Sequence, residues 1–271
     1  MSSTVVVKII DANRHSRLDR EVALVPQLPR GLTAPLLTSG LYRMGVLEVR
    51  YACYARVLGA APGMGMPGVG AATARALVED AIERLEGMHK WIPAGHAQQT
   101  LGEPLDHGGF VTQAALFAEL ETLADQDRSG FVPGHLLDGL AAIADRAPTR
   151  AQALVPVHAD CHWGNWLAND GSITALLDFE WARFGEPVDD WFFLARYSGP
   201  HMEAVLDVIA RATASPLELL RADCEVREAA YLASDLRIAL EHSDTSSRMV
   251  VDRLRALEEL IVGRYWWCHA R

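Results

Sequence analysis

Two regimes of apolar patterning meet at residues 59–70. Before that point, residues 4–10 are β-branched and apolar apart from Lys8, the length and composition of a buried strand. From Arg17 to Leu28, the residues Leu18, Val22, Val25 and Leu28 recur every three or four positions. That spacing predicts a short helix, brought to an end by Pro26 and Pro29. Two further strands are expected around Val46–Val49 and Tyr51–Val57. The Gly- and Pro-rich stretch Gly59–Gly70 then breaks the pattern and divides the chain into a small lobe, 1–58, and a larger one, 59–271.

After the break the period becomes helical. Ala72–Trp91 carries Val78, Ile82, Leu85 and Met88 on one face, and Thr112–Ala124 and Leu136–Arg146 read as further helices. A strand–loop–strand unit spans Leu154–Asp178. The C-terminal third is helical again, with a stripe of Val250, Leu254, Leu257, Ile261 and Tyr265. Strands with one helix, followed by many helices around one loop unit, define an α+β chain and not an alternating, doubly wound one.

Composition narrows the picture. The 271 residues are half hydrophobic, enough for a sizeable core. A net charge of −10 argues against non-specific nucleic-acid binding, which needs cations to replace counterions, and is compatible with a cationic substrate. Lys8 and Lys90 are the two lysines, so a lysine inside an apolar strand stands out. Cys53, Cys161, Cys224 and Cys268 form no C-x-x-C pair, which points to reduced thiols in a cytoplasmic protein. No leader pattern is visible at the N-terminus, and no apolar run reaches the ~20 residues that span a bilayer.

The candidate chemistry lies between Val157 and Asp190. Asp160 and Asn165 sit five residues apart in a loop after an apolar strand. Asn169-Asp170-Gly171 is a hairpin turn signal, and Ile173–Leu177 runs back to end at Asp178. The hairpin returns Asp178 to the Asp160–Asn165 loop. A carboxylate and an amide oxygen suit Mg²⁺, and a further carboxylate can accept a proton from an attacking hydroxyl. Singly, each of these residues is an ordinary turn former; jointly, their spacing is not.

The segments His158-Ala-Asp-Cys-His-Trp-Gly-Asn165, Leu176-Leu-Asp-Phe-Glu180 and Gly185-Glu-Pro-Val-Asp-Asp190 resemble the catalytic core of the aminoglycoside phosphotransferase family. The resemblance implies a protein-kinase-like bilobal fold and transfer of the γ-phosphate of ATP or GTP to a small-molecule hydroxyl. It implies Asp160 as base, Asn165 and Asp178 as Mg²⁺ ligands, His158 as a brace, Asp190 as a tether of the loop and Glu180 as a metal neighbour. Ala159 stands where the family commonly has Gly, and Trp163 where it has Pro; Trp163 is expected to pack.

By the same resemblance, Lys8 pairs with Glu21 to hold the nucleotide phosphates, and the backbone from Ala55 to Val57 meets the base. Seven residues precede Lys8, where a kinase-like small lobe has two strands and a phosphate-covering loop, so a shortened small lobe is expected. Asp235, Glu241, His242, Asp244, Trp266 and Trp267 are candidates for the acceptor side, against the plainer reading of a solvated helix face and core. Two alternatives stay open. One is nucleotide binding without transfer. The other is a metal-dependent hydrolase built on His158-Ala-Asp160-Cys-His162.

Overall fold

The computed structural model describes residues 5–12, 17–105, 109–128, 130–241 and 248–268. They fall into two compact units. One comprises Met1–Glu103 with Val155–Ala212, the other Pro104–Leu154 with Thr213–Arg271.

The first unit opens with strand β1 (Val5–Asp11) and helix α1 (Arg17–Leu24), which a 3₁₀ turn, Val25–Gln27, extends to the prolines. Strands β2 (Leu36–Met44) and β3 (Leu47–Ala55) complete an antiparallel sheet of order β1-β3-β2. This differs from the two strands expected at 46–49 and 51–57. Arg50 does not interrupt β3, because its guanidinium pairs with Asp19 of α1. β2 escapes the pattern because Thr38, Ser39 and Gly40 break its apolar run without giving period-two alternation. It is a strand because it pairs along β3, with Leu41 opposite Arg50 and Tyr42 opposite Val49.

The stretch after β3 lies on a second hairpin. Ala60 and Ala168 exchange two backbone hydrogen bonds of 2.9 Å, and Thr174 Oγ1 donates to the Leu58 carbonyl at 2.7 Å. A Cβ on Gly59 would stand 2.8 Å from the Ala168 oxygen, so the approach requires glycine. Helix α2 (Ala71–His89) buries Leu77, Val78, Ala81, Ile82, Leu85 and Met88, which recur at three- and four-residue spacing along one face. Helix α3 (Gly95–Gly102) follows.

Strand β4 (Val155–Val157) leads into the loop at 158–165, and strand β5 (Trp166–Asn169) leads out of it. β5 pairs with β6 (Ser172–Leu176) through Asp170 and Gly171, whose φ of 50° and 79° are the left-handed pair that a two-residue hairpin turn of this hand requires. β4 pairs instead with β7 (Arg183–Gly185), and helices α6 (Pro187–Arg196) and α7 (Met202–Thr213) follow.

The second unit is helical: α4 (Gln113–Gln126), α5 (Gly134–Arg146), α8 (Leu217–Glu241) and α9 (Arg248–Ile261). The Thr112 hydroxyl caps α4 by accepting the Ala115 N–H at 3.0 Å. The final helix stops at Ile261, short of the expected Tyr265, as Gly263 and the left-handed Arg264 (φ 48°) turn the chain. Among the described residues, no helix is long and apolar enough to cross a membrane.

Candidate active site

The loop from His158 to Asn165 is held from below by a single buried carboxylate. Asp190, at the start of α6, accepts the N–H of Ala159 at 2.7 Å and that of His158 at 3.2 Å, and lies 2.8 Å from His89 Nε2 of α2. Burial alone would raise its pKa, but the hydrogen bond and charge of His89, with the Ala159 N–H, bring it below the ordinary carboxylate range. His158 ties the loop to the strand that returns beside it. Its Nδ1 accepts the Asp160 N–H at 3.2 Å, which leaves the proton on Nε2 to be donated to the Leu177 carbonyl at 2.9 Å. Burial lowers the His158 pKa, consistent with this neutral tautomer.

Asn165 Nδ2 donates to the Asp160 carbonyl at 2.8 Å and to Asp160 Oδ2 at 3.2 Å. The amide nitrogen is thereby committed to Asp160, and the amide oxygen is the atom left for a cation. The Leu177 N–H donates to the Asn165 carbonyl at 2.8 Å, which links the loop to the residue before Asp178. Asp178 has a φ of 67°, a left-handed conformation that Asp tolerates better than most residues.

Lys8 of β1 meets three carboxylates. Its Nζ stands 2.8 Å from Glu21 Oε2, 3.0 Å from Asp178 Oδ1 and 2.6 Å from Glu180 Oε1. Burial on its own would lower the Lys8 pKa; the charge of Glu21, hydrogen bonds to Glu180 and Glu21 and the charge of Asp178 outweigh it, and the ammonium is held above its ordinary range. Glu21 lies on the buried face of α1, and the Tyr54 hydroxyl of β3 donates to its other oxygen, Oε1, at 2.6 Å. Burial and then the Glu21 charge push the Tyr54 pKa up, so the phenol remains a donor.

The donor set fits a hard divalent cation. Oxygens of Glu21, Asp178 and Glu180 lie within 4.8 Å of one another. Three carboxylates against one ammonium leave a local charge of −2, which suits Mg²⁺. Glu21 has one oxygen on Tyr54 and the other on Lys8, so it serves as the lysine's partner and not as a ligand. Asp178, whose side chain is 40% exposed, and Glu180 are the groups free to turn to a metal. Among the described residues this carboxylate group is the one cluster suited to a metal, and it contains no histidine. His162 Nδ1 accepts the Gly164 N–H at 3.1 Å, and both His158 nitrogens are engaged, so the H-x-D-x-H segment does not converge on a zinc ion.

The Ala55 N–H is donated to the Pro35 carbonyl at 2.9 Å, and Val57 falls beyond the end of β3. Trp163 is fully buried and donates to the Leu194 carbonyl at 3.1 Å and Ser198 Oγ at 2.8 Å, so it packs. In the helical unit, Asp235 pairs with Arg253, and Glu241 with Arg237 at 2.6 Å. Trp266 is buried against Glu228 and Trp267 donates to Glu225 at 3.0 Å. His242 and Asp244 lie outside the described residues. Sequence reasoning missed Tyr54 and His89, whose roles come from tertiary meetings with Glu21 and Asp190. The one sequence signal was a polar tip within each apolar element.

A strand lysine braced by a helix glutamate, beside a loop bearing Asp, Asn and a second Asp, is the inventory that phosphoryl transfer uses. Residues 2–224 match the model of the phosphotransferase enzyme family, and the chain belongs to that family. No curated protein matches the sequence. Among solved structures, the chain is similar to APH(2″)-IIIa in complex with GDP and kanamycin, at TM-score 0.70 and 19% identity, covering 90% of this chain and 81% of that one. It is similar to a thermostable mutant of aminoglycoside phosphotransferase APH(4)-Ia bound to AMP-PNP and hygromycin B, at TM-score 0.60 and 18% identity, with 94% and 86% covered. A third neighbour is aminoglycoside phosphotransferase APH(2″)-Ib bound to ADP, at TM-score 0.62 and 13% identity, with 93% and 85% covered. The protein-kinase-like α+β fold follows from these likenesses.

Proposed function

We propose that the protein transfers the γ-phosphate of ATP or GTP to a hydroxyl of a small molecule. The observation that carries this reading is the convergence of Lys8 on Glu21, Asp178 and Glu180, with a net charge suited to a metal–phosphate group. Lys8, kept charged and aimed by Glu21, is the point charge for the α- and β-phosphates. Asp178 and the amide oxygen of Asn165 would hold Mg²⁺, with Glu180 beside them; a bound Mg²⁺ neutralises charge on the phosphate oxygens. Asp160 orients the acceptor hydroxyl and takes its proton, while Asn165 fixes the carboxylate's rotation. The segment Ala55–Val57 is assigned to the base. Ala55 then offers its carbonyl, since its N–H is taken.

For the acceptor we propose an aminoglycoside or another hydroxylated antibiotic, an amino alcohol or a sugar. The kanamycin and hygromycin B complexes of the structural neighbours support the first, which would make this a resistance enzyme of the cytoplasm. The division into a nucleotide-holding segment, 1–58, and a remainder, 59–271, carrying loop, metal site and acceptor helices belongs to the same proposal.

The test is consumption of ATP and GTP with Mg²⁺ against a panel of these acceptors, read by a mass gain of one phosphate on the acceptor. Asp160→Asn should lower the rate by on the order of 10²–10⁴-fold while nucleotide binding persists. Nucleotide binding with no acceptor modified across the panel would favour a binding protein without transfer activity.

A further inference from the structure

The helical unit contains a cavity of about 500 Å³ between α5, α8 and the end of α9. Pockets of roughly 300–1,000 Å³ are the size that holds small organic ligands. Ile143, Leu260 and Ile261 make its apolar floor, and the Trp267 ring forms one wall. Ile143 and Leu260 are buried in the helix packing, so the floor is fixed.

The charges around it are unequal. Glu225 lines the cavity, but both its oxygens are taken: Oε1 by Trp267 Nε1 at 3.0 Å and Oε2 by the Arg146 guanidinium at 3.2 Å. Arg146 is therefore neutralised in place, and it also donates to the Ala142 carbonyl at 2.8 Å. Arg264, at the mouth, has no acidic partner among the described residues. Two guanidiniums against one carboxylate leave the cavity with a charge of +1. A cationic ligand would have to take Glu225 from both of its donors, whereas an anion finds Arg264 available.

We infer that this cavity is a binding site for an amphipathic monoanion, a carboxylate on an aromatic or branched apolar body. The body lies on Ile143, Leu260 and Ile261 against the Trp267 ring, and the carboxylate meets Arg264 at the mouth. The braced Arg146–Glu225–Trp267 group keeps the wall rigid, so little ordering is needed on binding. The inference does not rest on the proposed transfer, because no residue of the Lys8–Asp178 cluster lines the cavity and its test involves no nucleotide.

Isothermal titration calorimetry with phenylpropionate, phenylpropionamide and phenylpropylammonium tests this, with quenching of tryptophan fluorescence as a second readout. The carboxylate should bind at millimolar concentration or below, with the amide about fivefold weaker and the ammonium weaker still. Arg264→Gln, which removes the charge and keeps an unbranched polar side chain, should reduce the carboxylate to the affinity of the amide. Ala142 is exposed on the cavity wall, so Ala142→Trp should remove binding of both without unfolding the helix; Ala142→Met does the same with less bulk. Amide or ammonium binding as tightly as the carboxylate would overturn the inference. So would an unchanged carboxylate-to-amide ratio in Arg264→Gln, full binding in folded Ala142 variants, or no heat with any probe at millimolar concentration.

Discussion

The carboxylate of Asp190 accepts the backbone N–H of Ala159 at 2.7 Å, across 31 residues of chain. The same carboxylate takes the His158 N–H and faces His89, so one buried anion fixes the loop that presents Asp160. Asp190→Asn keeps the shape but replaces one acceptor oxygen by a donor, which then opposes an N–H or the His89 ring. A loss of about 3 kcal/mol in stability is expected, as for other broken buried charge networks, together with a lower kcat at unchanged nucleotide affinity. Urea denaturation and steady-state kinetics check it. A cost under about 1 kcal/mol would mean that the loop holds its form without the tether.

Tyr54 sets the position of Lys8 at one remove. Its hydroxyl holds Glu21, and Glu21 holds the ammonium. Tyr54→Phe removes one hydrogen bond from a buried carboxylate, at a cost of about 1–2 kcal/mol. Nucleotide binding should weaken because the lysine's aim is loosened. Lys8→Met should weaken it further, and the double variant should bind no more weakly than Lys8→Met alone. Losses that simply add would mean that Tyr54 acts independently of the lysine.

These two cases mark how far the sequence reaches. The loop residues Asp160, Asn165 and Asp178 are legible because they lie within one hairpin unit whose turn, Asp170-Gly171, is written locally. Lys8 and Glu21 are legible as an odd lysine on an apolar strand and an acid on the next helix. Tyr54 and His89 are not, because each is an ordinary member of a strand or helix until folding brings its partner to it. β2 was hidden for the same reason: Leu36–Met44 has no alternation of its own, and its strand form comes from pairing with β3.

Ala159 sits at φ 61°, in the region that favours glycine, and its side chain is buried. Three effects of Ala159→Gly compete. Relief of the left-handed strain gains roughly 1–2 kcal/mol. The lost methyl burial costs about 0.8 kcal/mol, and the greater freedom of the unfolded chain costs about 0.4–1 kcal/mol. The sum is close to zero, so stability should change by less than about 1 kcal/mol. Activity should be unchanged, since the N–H that Asp190 holds remains. A clear gain in melting temperature would show that the present alanine strains the loop more than its φ suggests.

Asp189, next to the tether, gives a pH signature. Burial pushes its carboxyl up to about 6; Arg183, 3.3 Å away, opposes the shift, and the Asp190 charge adds to it. The folded protein therefore keeps this proton to higher pH than the unfolded chain does. The contribution is fully present below the ordinary carboxylate range and is lost as pH rises through about 6. Over that window it amounts to about 2–3 kcal/mol. Asp189→Asn is neutral at every pH and lacks this contribution. Losing the Arg183 ion pair shifts its stability at neutral pH, but the slope identifies Asp189. Urea denaturation across the acid-to-neutral range should show wild type losing stability relative to Asp189→Asn as pH rises. Parallel curves would mean that Arg183 keeps Asp189 ionised throughout.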